Sequence, residues 1–120
     1  MPSKKLTIGV VGPCASGKTT LTSSLIHKSF HAKHIAQEHS YVGDMWSRIT
    51  DPDYLIYLDV SYSSTLARRH INWTKKEYEE QLKRLEHAKK HADICIATDH
   101  LSKVEVLTQV IRFLQSKTAE

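Results

Sequence analysis

A short stretch near the start of the chain has the residue types and spacing of a loop that binds phosphate groups. It follows the pattern Gly-x-x-x-x-Gly-Lys-Ser/Thr, whose fixed positions are Gly12, Gly17, Lys18 and Thr19. The glycines let the backbone turn tightly, so that successive N–H groups point into one cavity and no Cβ blocks a phosphate. Lys18 can then reach the β- and γ-phosphates of a nucleoside triphosphate, and the Thr19 hydroxyl can bind Mg²⁺. We therefore predict nucleotide contacts from every residue of the stretch: Gly12, Pro13, Cys14, Ala15, Ser16, Gly17, Lys18, Thr19 and Thr20.

The segments on either side of this stretch are those that such a loop requires. Residues 6–11 are an apolar run that predicts a strand, and residues 18–28 are compatible with a helix. A strand, a glycine loop and a helix in this order give the motif its structural context. The positive end of the helix adds to the attraction for an anion.

The rest of the chain alternates between further predicted strands and helices. Strands are expected at residues 34–37, 54–60 and 94–98, the second of them nearly continuously apolar. Ser61 can cap a short helix that reaches Arg69. Capping boxes at Thr74–Glu77 and Ser102–Glu105 predict a helix up to residue 92 and a final helix. This alternation predicts one domain over residues 1–120, an α/β fold in which a parallel sheet of about four strands has helices on both faces.

Composition narrows the class of protein. No apolar run approaches the roughly 20 residues that span a bilayer, so no membrane partner is expected. Two cysteines without a disulfide framework are typical of a reducing cytosol and predict a cytoplasmic protein. The net charge of +4 is modest, and no nucleic-acid module signature appears, which argues against a nucleic-acid partner.

Three segments together resemble a known family, the P-loop nucleoside and nucleotide kinase-like NTPases, of which this chain would be a shortened member. They are residues 10–21, residues 57–61 leading into Arg68 and Arg69, and residues 91–99. The resemblance implies that ATP or GTP binds with Mg²⁺ and donates its γ-phosphoryl group to a small acceptor such as a nucleoside or nucleotide. It also implies that Arg68 or Arg69 approaches the phosphates from the lid side and that residues 98–100 lie near the base.

A carboxylate is needed near the γ-phosphate, either to hold the metal's waters or to accept the proton of the acceptor. Glu38 follows the strand expected beside the glycine loop and is the preferred candidate, both as a catalytic residue and, with Thr19, for Mg²⁺. Asp59 ends an apolar strand, and Asp44 lies in the irregular segment that follows Glu38. These two remain alternatives.

Other polar residues have both a functional and a structural interpretation. Gln37, His39, Trp46 and Arg48 flank Glu38 and could line an acceptor pocket, and Arg48 suits an anionic acceptor. Each is also an ordinary core or surface residue in many proteins. Two histidine pairs have four-residue spacing, but two nitrogen ligands without a third are weak support for zinc, and solvated helix faces explain them better. The pairs are His87 with His91 and His27 with His31.

The functional prediction is a small phosphotransferase, with two alternatives. One is an NTPase or nucleotide-dependent switch that acts on a protein partner, and the other is a non-catalytic nucleotide-binding module. A GTPase is disfavoured because neither an Asp-x-x-Gly switch nor an Asn-Lys-x-Asp motif is present. Only residues 29–53 are available to bind an acceptor, which favours the alternatives unless a second copy in a homo-oligomer completes the site.

Overall fold

The computed structural model describes residues 6–69 and 72–118, without the side chains of Arg69 and Thr118. Within them, four strands form one parallel sheet in the order β2-β1-β3-β4. The strands are β1 (Thr7–Val11), β2 (His31–His34), β3 (Tyr54–Asp59) and β4 (Ile94–Ala97). The predicted α/β fold with a parallel sheet is therefore confirmed.

The helices cover both faces of this sheet. Helices α1 (Lys18–His27) and α6 (Lys103–Thr118) pack Leu21, Leu25 and Val110 against one face. The other face is covered through Trp46 of α2 (Met45–Ile49), Ala88 of α5 (Glu86–His91) and Leu85, which directly precedes α5. Alternate residues of β3 enter the two cores, Ile56 on one side and Tyr57 on the other, as the two-residue period of a strand requires.

The predicted helix starts have the expected caps. Helix α3 (Tyr62–Arg69) begins after Ser61, whose hydroxyl accepts from the N–H of Ser64 at 3.2 Å. Helix α4 (Lys75–Arg84) begins with the complete capping box between Thr74 and Glu77. The second box is also present, because the Ser102 hydroxyl accepts from Glu105 N and the Glu105 carboxylate accepts from Ser102 N.

Strand β2 lies three residues earlier than the predicted strand at 34–37. The prediction followed the apolar residues, but β2 forms an edge of the sheet, where three of its four side chains are exposed and polar. Residues Gln37–His39 form a 3₁₀ turn instead. This correction places Glu38 in a turn just beyond the strand rather than at the end of it.

The predicted helix over residues 74–92 is two helices, α4 and α5, which meet at Leu85. In one continuous helix the Arg84 carbonyl would accept from the N–H of Ala88. Here Gln37 Nε2 donates to that carbonyl at 3.1 Å, and a side chain inserted into the ladder bends a helix. No helix in the described part of the chain is long and apolar enough to cross a membrane.

Candidate active site at the glycine loop

The glycine loop (residues 12–19) joins β1 to α1 and has the backbone that its glycines allow. Gly12 has a φ of +158°, and a Cβ there would lie 2.4 Å from the Leu58 carbonyl oxygen. Gly17, at φ +99°, occupies the N-cap position of α1, where a left-handed backbone favours glycine. The loop is thus held against β3 on one side and opens onto the N-terminus of α1 on the other.

Lys18 lies inside this loop and uses all three of its donors. Its Nζ donates to the carbonyls of Gly12 at 2.8 Å and Pro13 at 3.1 Å, and it lies 2.8 Å from Glu38 Oε2. The side chain is 8% exposed, and that of Glu38 is 5% exposed. The structure therefore pairs the predicted lysine with the preferred acid as a buried ion pair.

Glu38 keeps one oxygen without a partner. Its Oε2 is used by Lys18, whereas Oε1 is buried and has no hydrogen-bond partner among the described residues. The Ser16 hydroxyl of the loop is likewise buried and has no hydrogen-bond partner among the described residues. Buried polar atoms are nearly always paired in native proteins, so these two atoms are available to a ligand or to water molecules.

The turn that carries Glu38 is fixed by a buried amide. Gln37 is fully buried, and it donates to the carbonyls of Val42 and Arg84 and accepts from the N–H of Trp46. Arg84 Nη1 in turn donates to the Glu38 carbonyl at 3.3 Å. Gln37 therefore positions the acid through the backbone and does not line a pocket of its own.

Arg68 reaches the loop from α3. Its guanidinium donates to the carbonyls of Ala15 and Thr98 and to the Thr98 hydroxyl, and that hydroxyl donates to the Asp59 carbonyl at 2.8 Å. These contacts join the loop to the end of β4. The side chain of Arg69 lies outside the described residues.

Several residues of the loop, together with Glu38 and Arg68, line a cavity of about 630 Å³. The cavity runs from Glu38 and His39 across the loop to the start of α6. Of the predicted site residues, Cys14, Ala15, Ser16, Gly17, Lys18, Thr19, Thr20, Glu38 and Arg68 line it. His34, Ser24, Leu101, Ser102, Lys103 and Val106 line it as well.

The two alternative acids lie elsewhere. Asp59 accepts from the N–H of Val60 and lies 3.8 Å from Lys89, and it lines a separate cavity of about 260 Å³. Asp44 pairs with Arg48 at 2.9 Å on the surface, and this guanidinium lowers the pKa of the Asp44 carboxyl. Neither residue is among those that line the loop cavity.

Most of the other candidates also have structural partners. Trp46 packs in the second core, and its indole N–H donates to His87 Nδ1 at 3.1 Å. The rings of His87 and His91 stack at 4.2 Å, while His31 bonds to the Thr7 hydroxyl. Of these predicted candidates in the described part of the chain, only His39 lines the loop cavity, with 60% of its side chain exposed.

Sequence reasoning missed Gln81 of α4. It is buried, its Oε1 accepts from the N–H of Cys14 at 3.0 Å, and its Nε2 donates to Cys14 Sγ at 3.1 Å. The available signal was its position, because Gln81 falls on the same helix face as Tyr78 and Leu85. An amide on an apolar face must find buried partners.

The described chain has the fold of a kinase of known structure. The crystal structure of shikimate kinase from Bacteroides thetaiotaomicron, determined at 1.7 Å resolution, matches it with a TM-score of 0.54. The match covers 92% of this chain and 98% of that chain at 15% sequence identity, a level at which the likeness concerns the fold. No protein-family model matches the chain, and no curated protein matches it in sequence.

Proposed function

We propose that this protein is a small P-loop phosphotransferase that moves the γ-phosphoryl group of ATP or GTP to a small acceptor. The acceptor would carry a hydroxyl or phosphate group, as a nucleoside or nucleotide does. The observation that carries the proposal is the buried Lys18–Glu38 pair, which lines one cavity together with the glycine loop. The likeness to a kinase structure supports the same reaction class.

Lys18 supplies a positive charge that an arriving phosphate can take over. In the free protein its ammonium group is satisfied by two loop carbonyls and by Glu38 Oε2. The β- and γ-phosphates would replace Glu38 as its partner, since they are stronger and more numerous acceptors. This exchange stabilises charge on the transferring group, which is the main task of a protein in phosphoryl transfer.

Glu38 and Thr19 suit a magnesium ion. The unpaired Oε1 of Glu38 is a hard oxygen donor, and the Thr19 side chain is an exposed hydroxyl at the start of α1. Mg²⁺ held by these residues would neutralise charge on the phosphates and orient them. Once Lys18 turns to the phosphates, the Glu38 carboxylate is also free to position the acceptor and take its proton.

Arg68 gives the opposite wall of the site a second positive charge. Its guanidinium holds the Ala15 carbonyl at 3.1 Å and lines the cavity. A small movement would transfer its donors from that carbonyl to a phosphate oxygen, in the role of an arginine that stabilises the transition state. Arg69 is proposed for the same role on sequence grounds alone.

The test follows the ³¹P NMR spectrum of Mg-ATP and of Mg-GTP incubated with the protein. One sample contains water alone, and the other contains a pool of nucleosides, nucleoside monophosphates and sugars. A new phosphoester that forms only with the pool is the expected result. The control is the variant Lys18→Met/Glu38→Gln, which removes both charges of the pair and should form no product. Orthophosphate in both samples would instead make the protein an NTPase, and an unperturbed spectrum would overturn nucleotide binding.

Glu38→Gln separates the roles of binding and turnover. Glutamine cannot accept a proton or supply a charged ligand, so turnover should fall far more than nucleotide affinity. The equivalent change Asp59→Asn serves as the control, because Asp59 lies at the other cavity. If Asp59→Asn lowers turnover and Glu38→Gln does not, the assignment of Glu38 is wrong.

One observation favours the alternative, an NTPase or binding module that acts with a protein partner. The segment available for an acceptor carries exposed apolar side chains, Tyr41 at 88% and Ile49 at 75% exposure. Two of its candidate acceptor-binding residues, Gln37 and Trp46, are buried and have partners in the interior. A partner that covers this segment and completes the site would be detected as turnover that depends on its addition.

A further inference from the structure

Three side chains of different chemistry lie close together in the lining of the loop cavity. Cys14 Sγ lies 3.9 Å from His39 Nε2, and Glu38 Oε2 lies 3.8 Å from the same nitrogen. One ligand atom from each of the three residues lies within 4.8 Å of the others. We call these residues the Cys14–Glu38–His39 cluster.

The spacing is close to that of a bound zinc ion. With Zn–S near 2.3 Å and Zn–N or Zn–O near 2.0–2.2 Å, tetrahedral ligand atoms lie about 3.4–3.6 Å apart. The two separations that involve His39 therefore need to close by only a few tenths of an ångström, and the Cys14–Glu38 pair lies within 4.8 Å. The Glu38 oxygen nearest His39 is Oε2, which also pairs with Lys18, so Glu38 must turn Oε1 toward the ion or release Lys18. The His39 ring is mostly exposed and the Cys14 side chain is half-buried, so small rotations of both are possible.

Glu38 also offers the cluster an oxygen that Lys18 does not use. Its side chain is 95% buried, and Oε1 has no hydrogen-bond partner in the described part of the chain. A cation bound by this carboxylate would have the Cys14 thiol and the His39 imidazole as its nearest further ligands. Because thiolate and imidazole are soft and borderline ligands, the cluster selects zinc over magnesium or calcium.

Gln81 acts as the support that a metal-binding cysteine needs. It accepts from the Cys14 N–H and donates to Cys14 Sγ, so one amide fixes both the backbone and the sulfur. A donor to the sulfur also stabilises the thiolate. Residues that orient a metal ligand in this way commonly change metal affinity 10- to 100-fold.

We propose that Cys14, Glu38 and His39 bind a zinc ion in the loop cavity, with the fourth position open to water. Cys14 binds as the thiolate, and its proton is released to solvent. A divalent ion on Glu38 also repels the Lys18 ammonium from its partner. Zinc would therefore occupy the carboxylate that the nucleotide-bound state requires, and it would act as a competitor of the nucleotide.

The first experiment measures metal binding without any nucleotide, so its outcome does not depend on the proposed function. Co²⁺ and then Zn²⁺ are titrated into the protein under a non-thiol reductant. One equivalent of cobalt should give thiolate charge-transfer and tetrahedral visible bands, which zinc then removes. Cys14→Ser should abolish the charge-transfer band, His39→Gln should raise the zinc Kd at least about 100-fold, and Gln81→Leu about 10-fold or more.

Matched controls use the other cysteine and a helix histidine. Cys95→Ser and His27→Gln should leave the cobalt spectrum and the zinc Kd unchanged, because both residues lie outside the loop cavity. A charge-transfer band that survives Cys14→Ser, or zinc affinity lost with His27→Gln, would refute the cluster. Circular dichroism of each variant separates loss of ligand from loss of fold.

The competition, which rests on the proposed function, has its own measurement. The affinity of the protein for a non-hydrolysable Mg-nucleotide is measured at buffered free zinc concentrations, all of them below the concentration at which zinc binds the nucleotide itself. Saturating zinc should raise the nucleotide Kd at least about 10-fold, and the nucleotide must raise the zinc Kd by the same factor. Equal nucleotide affinity with and without zinc would refute the competition.

Discussion

Replacing Glu38 by glutamine tests whether its carboxylate is the counter-ion of Lys18 in the free protein. Glu38 Oε2 and Lys18 Nζ lie 2.8 Å apart in side chains that are 5% and 8% exposed. Two unit charges at this distance attract by about 6 kcal/mol at an effective dielectric constant of about 20. Most of that attraction offsets the desolvation of the two ions, so the measurable quantity is the cost of losing one partner.

That cost is about 3–5 kcal/mol for buried pairs. Glutamine preserves the shape of the side chain and still accepts a hydrogen bond from Lys18. We therefore expect Glu38→Gln to lower the free energy of unfolding by about 3 kcal/mol, near the lower limit. In a domain of this size, this corresponds to a fall in Tm of roughly 10 °C.

Urea unfolding followed by far-ultraviolet circular dichroism measures this free energy. The control is Asp44→Asn, which breaks the exposed pair with Arg48 and should leave the midpoint unchanged. Lys18→Met/Glu38→Gln removes both charges and should recover about 2 kcal/mol or more relative to the sum of the single changes. An unchanged midpoint for Glu38→Gln, or strictly additive losses in the double variant, would refute the buried pair.

Two further predictions concern the loop and the end of β4. Gly12→Ala should destabilise the protein by about 2–3 kcal/mol, because its Cβ would meet the Leu58 carbonyl. Gly17→Ala has open space for its Cβ and should cost only about 1 kcal/mol, for the left-handed backbone. Urea unfolding measures both losses, and equal losses would refute the clash at Gly12. The Ser61 N–H donates to the Asp99 carboxylate and lowers its pKa. The ionised Asp99 side chain therefore stabilises the fold at neutral pH, and this stabilisation is lost as the pH falls below about 4. The Tm difference between the wild type and Asp99→Asn should therefore narrow over that range, and a constant difference would contradict the assignment.

Local signals in the sequence predicted much of the fold. The apolar runs of β1 and β3 and the two capping boxes each report on a few neighbouring residues, and each matches the structure. Where the outcome depended on distant residues, local signals were insufficient. Strand β2 is polar because it is a sheet edge, and the helix break at Leu85 depends on Gln37, which lies 47 residues from Arg84.

The same distinction applies to the site. Lys18 belongs to a contiguous motif and could be assigned from its neighbours alone. Strands β2 and β3 both neighbour β1, so the strand order alone does not choose between Glu38 and Asp59. The 3₁₀ turn after β2 is what brings Glu38 within 2.8 Å of Lys18. Gln81 could not be assigned, because its contact with Cys14 joins α4 to the loop across 67 residues. Whether these residues carry out the proposed reaction stays a prediction.

The pairing of Lys18 with Glu38 also decides which anions the loop can discriminate. Because a carboxylate lies 2.8 Å from the ammonium group, the two charges largely cancel when seen from the solvent. Chloride or a single inorganic phosphate gains little by approaching such a site, since it must first displace an internal anion. A longer polyanion would meet Lys18, Arg68 and several loop N–H groups at once, and we expect these contacts together to outweigh the displaced carboxylate. The ion pair would thus shield Lys18 from small anions, and the carboxylate would return to Lys18 when the polyanion leaves.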